Sequence, residues 1–268
     1  AIQKICDEEA ANPANYPATV RYGLEYALTI TRADGTSENY SKEMLGEYIK
    51  SAWGKEFPLV FDSPDEANQA IAEYKSSLNI VEGDTVNENI DITPQPQISV
   101  VVMDQSTGQV KAIVGGRGEK KTSLSLNRAT DSTRQPGSCF KIVSTYAPAL
   151  DSGKYTLAST ILDEPYAYAN GKPVNNWDDK YIGNTSVRYA ILHSMNICAV
   201  KTLTDIGLQT GYDSLLNFGF TSLVNFDDPN YPDFTDVAQA TALGGITRGV
   251  YNLEMTAAYA AIANKGTY

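Results

Sequence analysis

Thr93-Pro94-Gln95-Pro96 constrains this chain more than any other segment, because two prolines within four residues remove backbone donors and lock φ twice. Neither a helix nor a central strand continues through such a stretch, so it marks a boundary. Upstream of it, Arg21 to Ile30 alternates as a strand does, Ala33-Asp34-Gly35 reads as a turn, and Ser41 to about Trp53 has helical spacing. Ser63-Pro64-Asp65-Glu66 combines an N-cap serine, a proline at the first helical position and a glutamate placed to close a capping box. That predicts a helix over 64–78 with Ala67, Ala70, Ile71 and Tyr74 on one face. Downstream, the β-branched run Ile98 to Met103, the turn Gln105-Ser106-Thr107-Gly108 and the return Val110 to Val114 predict a hairpin. The chain therefore divides into a small mixed α/β segment, 1–96, and a larger domain, 97–268.

Within the larger part, Gln135-Pro136-Gly137 is a turn, and apolar residues then recur at helical intervals from Ser138 to about Leu150. Pro148 is placed to kink or end the last turn of that helix. A tyrosine-rich connection follows, then helices around 186–206 and 210–218, and an alanine-rich helix starting near Leu253. A serine hydroxyl is a weak nucleophile until a base takes its proton. Ser138-Cys139-Phe140-Lys141 supplies one: three residues apart on a helix, the hydroxyl and the amine share a face. Lysine acts as a base only where burial or a neighbouring cation disfavours its ammonium form, and the apolar residues around Lys141 suit burial.

Composition removes several other classes. A net charge of −11 and a pI near 4.6 speak against a nucleic-acid partner, whose phosphates require clustered Lys and Arg. Cys6, Cys139 and Cys198 have no CxxC spacing and His193 is the single histidine, so no metal, cofactor or disulfide framework is expected. A Ser-His-Asp hydrolase would have to use His193, and no GxSxG elbow is present. Gly115-Gly116-Arg117-Gly118 lacks the spacing of a phosphate loop. No apolar run approaches the roughly 20 residues of a membrane span.

The run Asp104 to Gly116, then Leu126-Asn127-Arg128-Ala129, then Arg134-Gln135-Pro136-Gly137-Ser138-Cys139-Phe140-Lys141, resembles the start of the transpeptidase domain of a class A penicillin-binding protein. The likeness continues through Asn176-Trp177-Asp178, Val187 to Ile191, Ser194-Met195-Asn196, Ala242-Leu243-Gly244-Gly245 and Leu253-Glu254-Met255, and so covers 97–268. Residues 1–96 resemble the linker that precedes this domain in Gram-positive relatives. The resemblance implies the α+β fold of serine DD-peptidases and β-lactamases, an antiparallel sheet flanked by helices, with its C-terminal part missing.

It also implies an active site with Ser138 as nucleophile, Lys141 as base, Ser194 as proton relay and Asn196 as hydrogen-bond partner of Lys141 and substrate. Gly137, Cys139 and Trp177 are expected beside the substrate, Cys139 with its side chain facing inward. SxN also occurs at Ser37, Ser77 and Ser125, but only Ser194-Met195-Asn196 stands where the family places the motif. The third family motif, KTG, does not occur in the 268 residues. The implied partners are peptidoglycan stem peptides, β-lactams, a remaining C-terminal part carrying KTG and a glycosyltransferase domain in the parent protein. The parent belongs at the outer face of the cytoplasmic membrane, with this piece soluble. A β-lactamase is disfavoured by Met195, which replaces the aspartate of SDN. A non-catalytic penicillin sensor or scaffold of the same fold is the alternative.

Overall fold

The computed structural model describes residues 1–56, 59–118 and 125–267. Two compact units emerge: Gln3–Ile98 with 116–118 and Ser125, and Ser99–Gly115 with the chain from Leu126 onward. Gln97 and the return at Arg117 sit with the first unit for a visible reason. The Gln97 amide accepts from Arg117 N at 2.9 Å and donates to the carbonyls of Arg117 and Pro94. The Arg117 guanidinium lies 3.7 Å from the centre of the Tyr16 ring.

The first unit opens with α1 (Ile2–Ala11) and is built on β1 (Arg21–Thr31). Leu24, Tyr26, Leu28 and Ile30 alternate along β1 into the core, as a strand with one solvated face requires. β1 pairs antiparallel with β2 (Ser37–Ser41) and β3 (Val60–Phe61) along one edge and with β4 (Thr85–Gln95) along the other. β4 carries Pro94 opposite Tyr22. Its only strand partner among the described residues is β1, so proline's missing N–H is tolerated as it is on edge strands. The apolar residues of β1 pack with α2 (Lys42–Trp53) and α3 (Pro64–Ser77) around Leu45, Ile49, Ala67, Ala70 and Ile71. Tyr74 meets Tyr26 and Tyr40 edge-on, each at 6.2 Å between ring centres.

The second unit begins with the hairpin β5 (Val100–Asp104) and β6 (Gln109–Val114). The single helix expected over 138–150 winds in three ways instead. Gly137–Cys139 is a 3₁₀ turn, Lys141–Tyr146 is a π-helix, and α4 (Ala147–Asp151) is α-helical. Pro148 accounts for the wide turn: in an α-helix its ring would meet the carbonyl of Ser144, four residues back, and a π turn relieves that clash without ending the helix.

The tyrosine-rich connection forms two short antiparallel pairs that composition did not announce. One joins β7 (Thr160–Asp163) to β10 (Gly183–Ser186), the other β8 (Tyr166–Ala167) to β9 (Pro173–Val174). Then come α5 (Val187–Leu192), α6 (Asn196–Ile206), α7 (Leu208–Asn217), a 3₁₀ segment Gln239–Leu243, and α8 (Asn252–Ala263). α6 buries Ile197, Cys198, Ala199, Val200, Thr202 and Leu203 and so forms the middle of this core, as a helix apolar on most sides must. Phe140 stacks edge-on with Phe220 at 5.1 Å in a neighbouring cluster. No described helix is long and apolar enough to cross a membrane.

At the start of α3, Ser63 Oγ accepts from Glu66 N at 3.1 Å, while the Glu66 carboxylate reaches one residue further, to Asp62 N at 2.7 Å. Replacing Ser63 with alanine is expected to cost about 1 kcal/mol, measured as a lowered denaturation midpoint at unchanged slope.

Candidate active site

The turn that carries Ser138 is held from outside by the loop at 244–250. Arg134 and Val250 exchange backbone hydrogen bonds of 3.0 and 2.9 Å, and the Gln135 amide donates to Ile246 O and accepts from Ile246 N at 3.0 Å. Gly244, at φ 74°, lies so close to this turn that a Cβ on it would stand 2.4 Å from Gly137 N and O. Gly137 itself adopts φ 56°, which reverses the chain just before the serine. Ser138 is exposed, and its hydroxyl has no hydrogen-bond partner among the described residues. Cys139 is exposed too, and not turned inward as expected. The tight 3₁₀ winding directs Phe140 rather than Cys139 into the core, and the Cys139 carbonyl accepts from Tyr259 Oη at 2.7 Å.

Lys141, three residues beyond the serine, is 2% exposed. Its Nζ donates to Ser194 O, to Ser194 Oγ at 3.0 Å and to Asn196 Oδ1 at 2.6 Å. An ammonium has three donors, and here each meets a neutral acceptor with no carboxylate among them. Burial without a counter-charge pushes the Lys141 ammonium down from 10.5 to about 8. At pH 7 about one molecule in ten then carries the free amine, against about one in three thousand at the ordinary value. The folded chain releases this proton before the unfolded chain does. Lys141 therefore destabilises the fold at neutral pH by roughly 3 kcal/mol, a penalty relieved as pH rises from about 8 to 10.5.

Two residues of the SxN triplet reach one amine because α5 ends where α6 begins. α5 closes with a Schellman arrangement: Met195 N donates to Ala190 O at 2.9 Å and Ser194 N to Ile191 O at 3.1 Å. Ser194 occupies the left-handed position at φ 51°, a place usually given to glycine. That conformation costs a serine about 1–2 kcal/mol. With it, the Ser194 carbonyl and hydroxyl both come to Lys141, and Met195, extended and 5% exposed, hands the chain to α6 with Asn196 at its first position. The other SxN triplets are elsewhere: Ser37 in β2, Ser77 at the end of α3, and Ser125 before the turn that Asn127 caps through Ala129 N.

Asn175 and Asn176 also belong to the site, and residue spacing did not single them out. The Asn175 carbonyl accepts from Asn196 Nδ2 at 2.7 Å, and Asn176 Oδ1 accepts from Asn196 N at 3.0 Å. Intervals of 20 and 21 residues, which no local periodicity links, separate these partners in sequence. Trp177, next to them, is 77% exposed, so it is not the packing tryptophan that its size allows. His193 is exposed and stacks on Tyr189 at 4.0 Å, with no carboxylate partner among the described residues. A triad through it has no support.

Residues 98–268 match the family model of the penicillin-binding protein transpeptidase domain. Penicillin-binding protein 1A of Streptococcus pneumoniae is 37% identical over 98% of this chain, and penicillin-binding protein 1A/1B of Bacillus subtilis is 35% identical over 70% of it. The chain spans 36% and 19% of the length of these two relatives. Among solved structures, PonA1 of Mycobacterium tuberculosis in complex with penicillin V shares the fold at TM-score 0.54 and 22% identity, over 65% of this chain and 46% of that one. Penicillin-binding protein 1A of Haemophilus influenzae does so at TM-score 0.53 and 23% identity, over 90% and 33%.

The local geometry predicts two outcomes. Ser194→Gly is expected to be more stable than Ser194→Ala by about 1 kcal/mol in denaturant titrations, because only glycine is unstrained at that φ. Gly244→Ala is expected to lower stability by about 3 kcal/mol and to displace the Ser138 turn, visible as altered proteolysis between 134 and 141.

Proposed function

The chain belongs to the penicillin-binding protein transpeptidase family, and from that membership we propose that it is the acyl-transfer part of a peptidoglycan D,D-transpeptidase with Ser138 as nucleophile. The observation that carries this reading is the buried Lys141 amine, held by Ser194 and Asn196 and free of any carboxylate.

In its neutral form Lys141 keeps two hydrogens, enough for Ser194 O and Asn196 Oδ1, and has a lone pair to accept the Ser138 proton. The Ser138 oxygen then attacks the carbonyl of the penultimate D-Ala of a stem peptide. Backbone N–H groups at the turn, that of Ser138 among them, hold the developing oxyanion. As the C–N bond breaks, the Lys141 proton passes through the Ser194 hydroxyl, 3.0 Å away, to the leaving amine of D-Ala. An amine from a neighbouring stem peptide attacks the ester, gives up its proton along the same path and releases Ser138. A β-lactam follows the first half, but its leaving amine stays tethered and the ester resolves slowly.

The exposed Trp177 ring offers one wall for the substrate, and Gly137 and Cys139 flank the nucleophile as the turn on which it stands. The remaining partners of this reading are a segment carrying KTG and a glycosyltransferase domain, in a parent protein at the outer face of the cytoplasmic membrane.

Intact-mass analysis after incubation with a β-lactam tests the assignment. One adduct, mapped to the peptide containing Ser138 and abolished in Ser138→Ala, is expected; a labelled Ser138→Ala protein would overturn it. A chain that takes up the adduct but never transfers to an acceptor amine would instead be the sensor of this fold. The acylation rate is expected to rise about tenfold per pH unit below the Lys141 value of about 8 and to level off above it, since only the free amine is a base. A flat profile from pH 6 to 9 would exclude Lys141 from that role.

A further inference from the structure

Behind Asn196 a second set of polar side chains runs into the core, ending in a carboxylate that the proposed reaction does not use. Asp163, the last residue of β7, is 1% exposed. Its Oδ1 accepts from Asn176 Nδ2 at 2.9 Å and its Oδ2 from Ile182 N at 3.0 Å, and no cation pairs with it among the described residues. Both neighbours are donors, and of the side chains this size only a carboxylate accepts at both oxygens. Asn176, 5% exposed, also donates through Nδ2 to Lys180 O at 2.9 Å. Two acceptors therefore face its nitrogen, and its oxygen has one orientation left, toward the first N–H groups of α6.

There Asn176 Oδ1 accepts from Asn196 N at 3.0 Å and Ile197 N at 3.3 Å. It caps α6 from outside the helix, since the N-cap residue Met195 makes no side-chain cap. Asn175 O then takes Asn196 Nδ2, which leaves Asn196 Oδ1 to Lys141. Asn176 and Asn196 thus each have their amide nitrogen assigned by partners that can only accept, which fixes where each oxygen points. A flip of Asn176 would set its NH₂ against the N–H groups of Asn196 and Ile197, and a flip of Asn196 would set its NH₂ against the Lys141 Nζ, donor against donor in both cases.

We infer that Asp163 and Asn176 are positioning residues, which anchor the backbone of Asn196 at the start of α6, keep its side-chain oxygen within reach of Lys141 and so set how readily that amine gives up its proton. The inference rests on the proposed acyl-transfer reading for its kinetic consequence and on geometry alone for the state of the amine. The titratable groups around the amine are few: the Cys198 thiol on α6, which burial pushes up to about 12 and keeps neutral near pH 7, and Asp163 beyond it.

Asp163→Asn, nearly isosteric, removes one acceptor and places a donor against either Asn176 Nδ2 or Ile182 N. In the full-length protein it is expected to lower the plateau rate of acylation by a fluorescent penicillin, reached at high pH where the amine is free, at least tenfold, as loss of a supporting hydrogen bond behind a metal ligand does. It should also move the midpoint of the pH–rate profile about one unit down, because an ammonium deprived of an acceptor is less favoured. Asn176→Ser, with less change to the core, should act in the same direction and serves if Asp163→Asn does not fold. A slower rate with an unmoved midpoint in both variants would mean loss of structure only and would overturn the inference, as would an unchanged rate. Competitive amine labelling of Lys141 across pH, read by peptide mass, reports the same midpoint without any acylation. A protein that never takes up penicillin would therefore refute the reaction, while the labelling midpoint would still shift if the network is as inferred and stay put if it is not.

Discussion

A lysine amine buried among neutral acceptors is the interaction on which the rest of the second unit depends. Had Lys141 found a carboxylate, the ion pair would hold its proton; had it stayed in water, its ordinary affinity for the proton would do the same. Burial favours the free amine that the proposed reaction needs, and three acceptors from the junction of α5 and α6 keep the burial tolerable. Both conditions require two distant segments, 141 and 194–196, to meet at hydrogen-bond distance.

The fold bears local costs to make them meet. Ser194 takes a left-handed backbone where glycine would be easier, because glycine has no hydroxyl to offer the amine. The helix behind Lys141 widens into a π turn ahead of Pro148, a distortion of the kind that concentrates at functional sites. Gly244 lets one backbone touch another beside Ser138. A left-handed serine, a π turn and a close backbone approach thus all lie beside Ser138 and Lys141.

Elements whose signal is local were legible in the chain. β1 showed its alternation, α3 its cap and proline, the hairpin β5–β6 its two β-branched runs, and α8 its alanines. β4 was not, because Val86, Ile90 and Ile92 lie among charged and polar residues on an edge strand whose solvated face masks the period. β7 to β10 were hidden for a related reason: strands of two to four residues are too short to show any period. The inward placement of Cys139 failed because an α-helix was assumed where a tighter winding turns the side chain out. Trp177 showed how little size says about burial when its neighbours are turn residues.

By itself the sequence determined which side chains were on offer: a serine three residues from a lysine, an apolar stretch to bury the amine, and an ordered likeness to one family over 97–268. Spacing along a helix is a short-range property, and it reached that far. Only the tertiary structure decided that both Ser194 and Asn196 reach the lysine amine, that the serine ends exposed with its neighbour Cys139, and that Asp163 and Asn176 stand behind Asn196. Those outcomes depend on contacts between residues 13 to 55 positions apart, and such distances carry no periodic trace in a single chain.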